Sequence, residues 1–230
     1  MSLPDKTTTM EEAVAAIPDG AVVMLGGFGV PGTPFTLIHE LVRQGKRDLT
    51  VIKNDANEAG MGVDHLIVAG LMRKLIVTHL GLNANAIAAM NEGRIKVELC
   101  AQGILAERIR AGGAGLQAIL TDIGLETELA EGKQVIEMAG KRLLVEPAIR
   151  ADVALIHADC ADPFGNLTYL ATARNFNPPM AMAAERVIVE TERLVPLGGI
   201  SPDAVETPGV FVDHICPLTQ ISEEYGVVRR

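Results

Sequence analysis

Ala21-Val22-Val23-Met24-Leu25-Gly26-Gly27-Phe28-Gly29-Val30-Pro31-Gly32-Thr33-Pro34 decides how this chain folds. Five apolar residues bounded upstream by the turn Pro18-Asp19-Gly20 read as a buried strand, since a short apolar run between turn residues suits a strand covered on both faces. Four glycines follow between positions 26 and 32. Thr33 is placed to cap a helix that begins with Pro34. Leu37, Ile38 and Leu41 share one face of that helix, which ends near Gly45. Strand, glycine-rich loop and helix in this order open a βαβ unit. Without a Cβ, such a loop lets backbone N–H groups approach an anion or a developing oxyanion. A plain turn seldom needs so many glycines, so Gly26, Gly27, Phe28, Gly29, Val30, Pro31 and Gly32 are the first candidates for a binding role.

Working outward, the alternation repeats. Thr9 and Glu12 have capping-box spacing for a helix reaching about Ala16. Strands are expected at 49–52, within 73–79 and at 95–99, with helices at 85–90 and 105–110. The string Ala111-Gly-Gly-Ala-Gly115 reads as a flexible end to the last of these. Strands alternating with helices argue for a mainly parallel sheet with both faces covered. Residues 134–146 change pattern to two strand-like runs around Ala139-Gly140, a β-hairpin. Residues 153–156 and 186–190 read as two more buried strands. The expectation is one α/β domain over residues 1–230, a three-layer α/β/α arrangement with a mainly parallel sheet plus a hairpin. The polar tail 219–230 reads as mobile or lying at an interface.

Composition narrows the function. The chain has 230 residues, of which 48% are hydrophobic, enough for a large core, and 21% are charged. Its formal net charge of −9 suits neither nucleic acid nor an anionic membrane, both of which select for cationic patches. The opening Met-Ser-Leu-Pro-Asp-Lys lacks the apolar core of a signal peptide. The longest uncharged run, 21–38, holds four Gly and two Pro, too many breakers for a membrane span. A cytoplasmic location is expected. Cys100, Cys160 and Cys216 are far apart, odd in number and without a CxxC, so they read as buried free thiols.

Gly27, Gly29 and Gly32 also satisfy G-x-G-x-x-G, with Asp55 about where a ribose-binding acid would stand, so a dinucleotide-binding oxidoreductase is a rival reading. Pro31 opposes it. It biases Val30 away from helical angles, and together with Thr33 and Pro34 it moves the helix start past the last glycine. A ligand-sensing module without turnover is a further alternative.

The sixteen residues from Asp19 to Pro34 resemble the α-subunit signature of family I CoA-transferases, an Asp-Gly turn, an apolar strand, Gly-Gly-Phe and then Gly-x-Pro. Further stretches are similar to the same family: Asn54-Asp55; the run from Gln102 to Gly115; Asp162-Pro-Phe-Gly-Asn-Leu-Thr168; Arg174-Asn-Phe-Asn177; and Thr207-Pro-Gly209. The resemblance covers roughly residues 10 to 216 and is strongest to α subunits acting on acetate, butyrate, acetoacetate or 3-oxoadipate. It implies a three-layer α/β/α fold and a ping-pong exchange of coenzyme A between an acyl-CoA and a short carboxylic acid. It also implies a β-subunit partner in an α2β2-like assembly, with coenzyme A entering as substrate rather than as a permanently bound cofactor. The nucleophile implied is a glutamate in a Ser-Glu-Asn-Gly motif on the β subunit. This chain has no such motif. Its nearest string, Ser222-Glu-Glu-Tyr225, reads as solvated surface, so no catalytic residue is assigned to this chain and the isolated chain is expected to be inactive.

The chain's own contribution is then backbone and amides. Gly26 to Gly32 are expected to contact coenzyme A and the reacting carboxyl. Asn54 and Gln102 each follow an apolar strand and are expected to point into one crevice beyond the strand ends, orienting substrate. Arg108 and Arg110 read as a solvated helix face, with a CoA phosphate or subunit contact as the alternative. Asn175 and Asn177, before Pro178-Pro179, read as side chains bonded to backbone. Glu58 is the one acid considered for a local carboxylate role, with surface placement favoured. His79, His157 and His214 each follow an apolar run but lack metal-ligand spacing, so no metal is assigned. The low basic content leans towards monocarboxylates.

Overall fold

The apolar run after Gly20 forms β1 (Val22–Leu25) in the computed structural model, which describes residues 4–227. The opening Met-Ser-Leu and the final Val228-Arg-Arg of the tail lie outside the described residues. Upstream, α1 (Met10–Ala15) carries the capping box, with Glu12 N–H donating to Thr9 Oγ1 at 3.2 Å. Downstream come α2 (Phe35–Arg43), β2 (Leu49–Ile52), α3 (Val63–Val68), β3 (Met72–Val77), α4 (Ala84–Asn91), β4 (Lys96–Leu99) and α5 (Gln102–Gly113). A three-stranded antiparallel sheet follows, built from β5 (Ala118–Thr121), β6 (Val135–Met138) and β7 (Lys141–Pro147). Its β6–β7 hairpin turns at Ala139 and Gly140, both at positive φ. The chain then returns through β8 (Ala151–Ala161), β9 (Leu167–Thr168), α6 (Asn177–Met182), β10 (Ala184–Leu194) and β11 (His214–Pro217).

The large sheet runs β11-β10-β8-β1-β2-β3-β4 with every neighbouring pair parallel, and β9 lies antiparallel against β8. Alternate side chains of each strand face opposite layers. Val23, Leu25, Leu75 and Leu155 pack with Leu37, Ile38, Leu41 and Leu66 of the first helices. Met24, Ile52, Ile76 and Ile156 pack with Ile104, Leu105 and Ile109 of α5 and Met180 of α6. Each such fully buried aliphatic side chain contributes about 1.5–3 kcal/mol relative to exposure. The result is the expected three-layer α/β/α architecture with a mainly parallel sheet and an added hairpin.

Strand order reverses between β1 and β8. From β1 the chain crosses to β2 through α2 on one face, whereas from β8 it crosses to β10 through α6 on the other. In open α/β sheets ligands bind beyond the carboxyl ends of the strands at such a reversal. The glycine-rich loop leaves β1 at that point.

Three local expectations are corrected. Thr33 does not cap α2; Pro34 occupies the cap position, and the Thr33 hydroxyl donates back to Gly29 O at 2.7 Å. The glycines near the end of α5 are not a flexible stop. The helix continues to Gly113, because a Cβ on Gly112 would lie 2.0 Å from Ile149 O and one on Gly113 would lie 2.7 Å from Met182 Cβ. They are small so that α5 can lie against α6 and the strand entering β8. Nor is the Ser222–Tyr225 string all solvated. Tyr225 is buried, its ring edge-on to Phe35 at 4.8 Å and 4.9 Å from His157, with its hydroxyl donating to Thr33 O.

Candidate active-site elbow

The loop after β1 is an elbow that only small residues can form. Gly27, Gly29 and Gly32 sit at φ +98°, +59° and +76°, a region that side-chain-bearing residues rarely enter. A Cβ on Gly26 would lie 1.8 Å from Asn177 Oδ1, on Gly27 2.2 Å from Thr33 Oγ1, and on Gly32 2.4 Å from Ala173 O. Asn177 is the buttress beneath it. Its amide donates to Ala173 O at 2.7 Å and Gly32 O at 3.1 Å, and its Oδ1 accepts the His157 N–H at 3.3 Å. Asn175 donates to Pro31 O at 2.9 Å. Both asparagines therefore bond to backbone, as read from the turn they occupy.

Some N–H groups of the elbow are held by the fold and others are left over. Gly26 donates to Leu155 O, Phe28 to Pro31 O, Thr33 to Val30 O and Gly29 to Asp55 Oδ2. The N–H groups of Gly27, Val30 and Gly32 have no acceptor among the described residues. Gly26, Gly27 and Gly32 are buried, while residues 28–31 form the projecting tip, with Phe28 46% exposed. On one side of the tip a recess of about 140 Å³ opens between Phe28, Val30, Met61, Leu80 and Leu82, with Glu58 and His79 at its margin. On the other side Phe28 and Pro31 face Thr172 and Asn175 across a second depression.

Behind the recess lies a network that sequence reasoning assigned differently. Asp55 is only 4% exposed. Its Oδ1 meets the fully buried Lys53 ammonium at 3.2 Å and the Asn57 N–H at 2.9 Å; its Oδ2 accepts from Gly29 N–H at 2.7 Å and Asn54 Nδ2 at 3.0 Å. Burial pushes the Asp55 carboxyl up, but Lys53, the Gly29 N–H, the Asn54 amide and the Asn57 N–H together outweigh it and hold the pKa at about 2. Burial pushes Lys53 down, with Asp55 opposing. Both Asp55 oxygens are thus engaged with protein donors, which removes the ribose-binding role of the dinucleotide reading. The Lys53–Asp55 pair had a signal in the sequence: two positions apart in extended chain, the side chains share a face.

Asn54 and Gln102 do converge, with Gln102 Nε2 donating to Asn54 Oδ1 at 2.8 Å. They are not equivalent, however. Gln102 is exposed at the start of α5, whereas Asn54 is wholly buried and its amide serves Asp55 and Gln102. Of the two, Gln102 alone reaches the surface. The chain Gln102–Asn54–Asp55–Gly29 links it to the elbow by hydrogen bonds.

Except for His79 at the edge of the recess, the other candidates fall outside the site. Arg108 is buried rather than solvated. It donates to Pro147 O at 2.8 Å and pairs with Glu98 at 3.2 Å, tying α5 to the small sheet. Arg110 is exposed beside Glu107. The three histidines share no partner: His79 contacts Thr78, His157 lies buried between Glu190 and Glu192 at 2.9 Å from each, and His214 opens edge strand β11. Cys100, Cys160 and Cys216 are free and buried.

The Asp55 geometry sets a pH dependence. A carboxyl depressed from its ordinary 3.8 to about 2 contributes stability in full above pH 3.8, and that contribution is lost as pH falls through about 2. About 2 kcal/mol is involved. Urea unfolding of the chain across that range, against Asp55→Asn, is expected to show the difference between the two proteins shrinking as the solution is acidified. A constant difference would contradict the assignment.

A doubly wound α/β unit with a glycine elbow at its strand-order reversal, unpaired amides and an adjoining small apolar recess is, as a class, a fold with a ligand crevice at the carboxyl ends of its strands. The chain belongs to the coenzyme A transferase family, as an α-type subunit: the family model for coenzyme A transferase matches residues 7–217. It is 50% identical over 211 residues to the probable coenzyme A transferase subunit alpha of Bacillus subtilis, covering 91% of this chain and 92% of that one. It is 45% identical over 210 residues to the acetate CoA-transferase subunit alpha of Escherichia coli, covering 91% and 96%. Among solved structures, a variant of the decarboxylase AibA/AibB superposes with a TM-score of 0.81 at 33% identity, covering 94% of this chain and 84% of that one. Glutaconate coenzyme A-transferase from Acidaminococcus fermentans shares the fold, with a TM-score of 0.84 at 23% identity over 97% and 77%. These findings favour neither the oxidoreductase nor the sensing-module alternative. Among the described residues no helix is long and apolar enough to cross a membrane.

Proposed function

We propose that this chain is the α half of an α2β2-like enzyme that exchanges coenzyme A between a short-chain acyl-CoA and a free carboxylic acid by a ping-pong route. A glutamate carboxylate of the β subunit attacks the thioester carbonyl, forming a mixed anhydride and releasing CoA thiolate. The thiolate then attacks the glutamyl carbonyl, leaving a glutamyl-CoA thioester and the free carboxylate of the first acid. A second acid reverses both steps. Splitting the exchange in this way replaces one difficult displacement by easier ones. Each tetrahedral species develops an oxyanion that needs preorganised donors.

The observation that carries this reading is the set of unpaired N–H groups at Gly27, Val30 and Gly32 in an otherwise fully bonded elbow. Backbone amides can stabilise an oxyanion without a full positive charge that would pair with the nucleophilic glutamate. In this reading Gln102, exposed at the start of α5, orients the acid, and Asn54 acts through it. The recess of about 140 Å³ is well below the ~300–1,000 Å³ of pockets for larger ligands, which suits acetate, butyrate or acetoacetate. Glu58 at its margin would repel the second carboxylate of 3-oxoadipate, so short monocarboxylates are favoured.

The test is reconstitution. The purified chain alone is expected to show no CoA exchange, and addition of its β subunit is expected to restore turnover, with acetate and butyrate accepted ahead of dicarboxylates. Full turnover by the single chain would refute the division of labour.

A further inference from the structure

We propose that His39, His65 and Glu224 form a binding site for a divalent transition-metal ion of the zinc class, which fastens the carboxy-terminal segment beside the elbow. The three residues come from three separate segments, His39 from α2, His65 from α3 and Glu224 from the turn Glu223–Val227. One ligand atom from each lies within 4.8 Å of the others. His65 Nε2 is 3.1 Å from Glu224 Oε1, His39 Nε2 touches the same oxygen, and the two rings stand 4.9 Å apart at 73°.

Two imidazole nitrogens and one carboxylate oxygen are a donor set of borderline softness. It suits zinc and its first-row neighbours and not calcium or magnesium, which take oxygen ligands throughout. Metal–ligand bonds of about 2.0–2.2 Å in tetrahedral array bring such atoms a little over 3 Å apart, within reach of side-chain adjustment here. The carboxylate is already oriented, since its second oxygen, Oε2, accepts the Gly62 N–H at 2.7 Å, the kind of outer support that ligating carboxylates receive. The His39 and His65 side chains are 44% and 34% exposed and Glu224 15%, so the site has a solvent side for a water ligand.

The site has a structural consequence. The next residue, Tyr225, is buried against Phe35 and His157 and donates to Thr33 O at the base of the elbow. A metal on Glu224 would therefore hold Tyr225 in its seat.

The test uses the full-length chain without a histidine tag. Calorimetric titration with zinc chloride is expected to give one saturable site. Cobalt(II) is expected to show the visible absorption of a four-coordinate nitrogen/oxygen site. The melting temperature should rise with zinc and return with chelator. Glu224→Gln keeps a carbonyl for the Gly62 N–H while removing the anionic ligand, and it is expected to weaken zinc binding about 100-fold; His65→Ala should do the same. If His65→Ala fails to fold, Glu224→Gln decides. Absence of saturable zinc binding, or unchanged affinity in Glu224→Gln, would overturn the site and show a hydrogen-bonded latch only. Because the readout is metal binding and not CoA exchange, this outcome is independent of the proposed transferase reaction.

Discussion

Gly27→Ala is expected to leave a chain that folds and assembles with its partner but turns over about 10²–10³-fold more slowly, the loss typical of a disrupted oxyanion donor. The reason lies in where the added methyl would go. It would meet Thr33 Oγ1 at 2.2 Å and Thr33 N at 2.6 Å, and Thr33 cannot easily yield. Its hydroxyl is bonded to Gly29 O, its N–H to Val30 O, and its carbonyl receives the Tyr225 hydroxyl. Relief must come from the elbow itself, which displaces the N–H groups of Gly27, Val30 and Gly32. The backbone angle adds its own strain of about 1–3 kcal/mol.

A control separates strain from geometry. Gly45 also has positive φ, +66°, but a Cβ there would meet nothing within 4 Å. Gly45→Ala should lose about 1–2 kcal/mol of stability with kcat unchanged in the reconstituted enzyme. If Gly27→Ala behaved the same way, with a lowered melting temperature and kcat within about tenfold of the parent, the elbow would be structural and not catalytic.

The elbow was legible because its signal is local. A strand, four glycines and a helix that follows a proline fix each other through adjacent residues, and the parallel sheet follows from the spacing of apolar runs. The hairpin at Ala139-Gly140 was legible for the same reason. What escaped the sequence depends on residues far apart. Thr33 looks like a helix cap in a window of four residues, yet its hydroxyl turns back to Gly29 because the elbow folds over it. Gly112 and Gly113 look like a helix stop, and only the approach of Ile149 and Met182 explains them. Arg108 has the spacing of a solvated residue, but the small sheet that covers it comes from residues 118–147. Glu224 and Tyr225 sit in a polar tail, and nothing nearby in sequence announces that Phe35, His39 and His65 receive them. Asn54 meets Gln102 as expected, but nothing beside it in the sequence announces that it is wholly buried.

The second large effect is expected at the Lys53–Asp55 pair, and its asymmetry is the informative part. Breaking a buried ion pair by removing one partner costs about 3–5 kcal/mol, which for a chain of this size lowers the melting temperature by about 2–4 °C per kcal/mol. Asp55→Asn should lie at the upper end, because it strands the wholly buried Lys53 ammonium and turns an amide NH2 towards donors that need an acceptor. Lys53→Met should cost less, since the Asp55 carboxylate would keep the N–H groups of Gly29 and Asn57 and the Asn54 amide. The double variant Lys53→Met/Asp55→Asn should be more stable than Asp55→Asn alone, with an interaction energy above about 0.5 kcal/mol in a urea-unfolding cycle. Activity should sort differently. Only variants lacking the Asp55 carboxylate release Gly29, so Lys53→Met is expected to keep most of its kcat while both proteins carrying Asp55→Asn lose it. Stability would then report on both partners, and most on the aspartate, whereas turnover would report on the aspartate alone. An additive cycle, or equal loss of kcat in all three variants, would mean that the pair does not couple the core to the site.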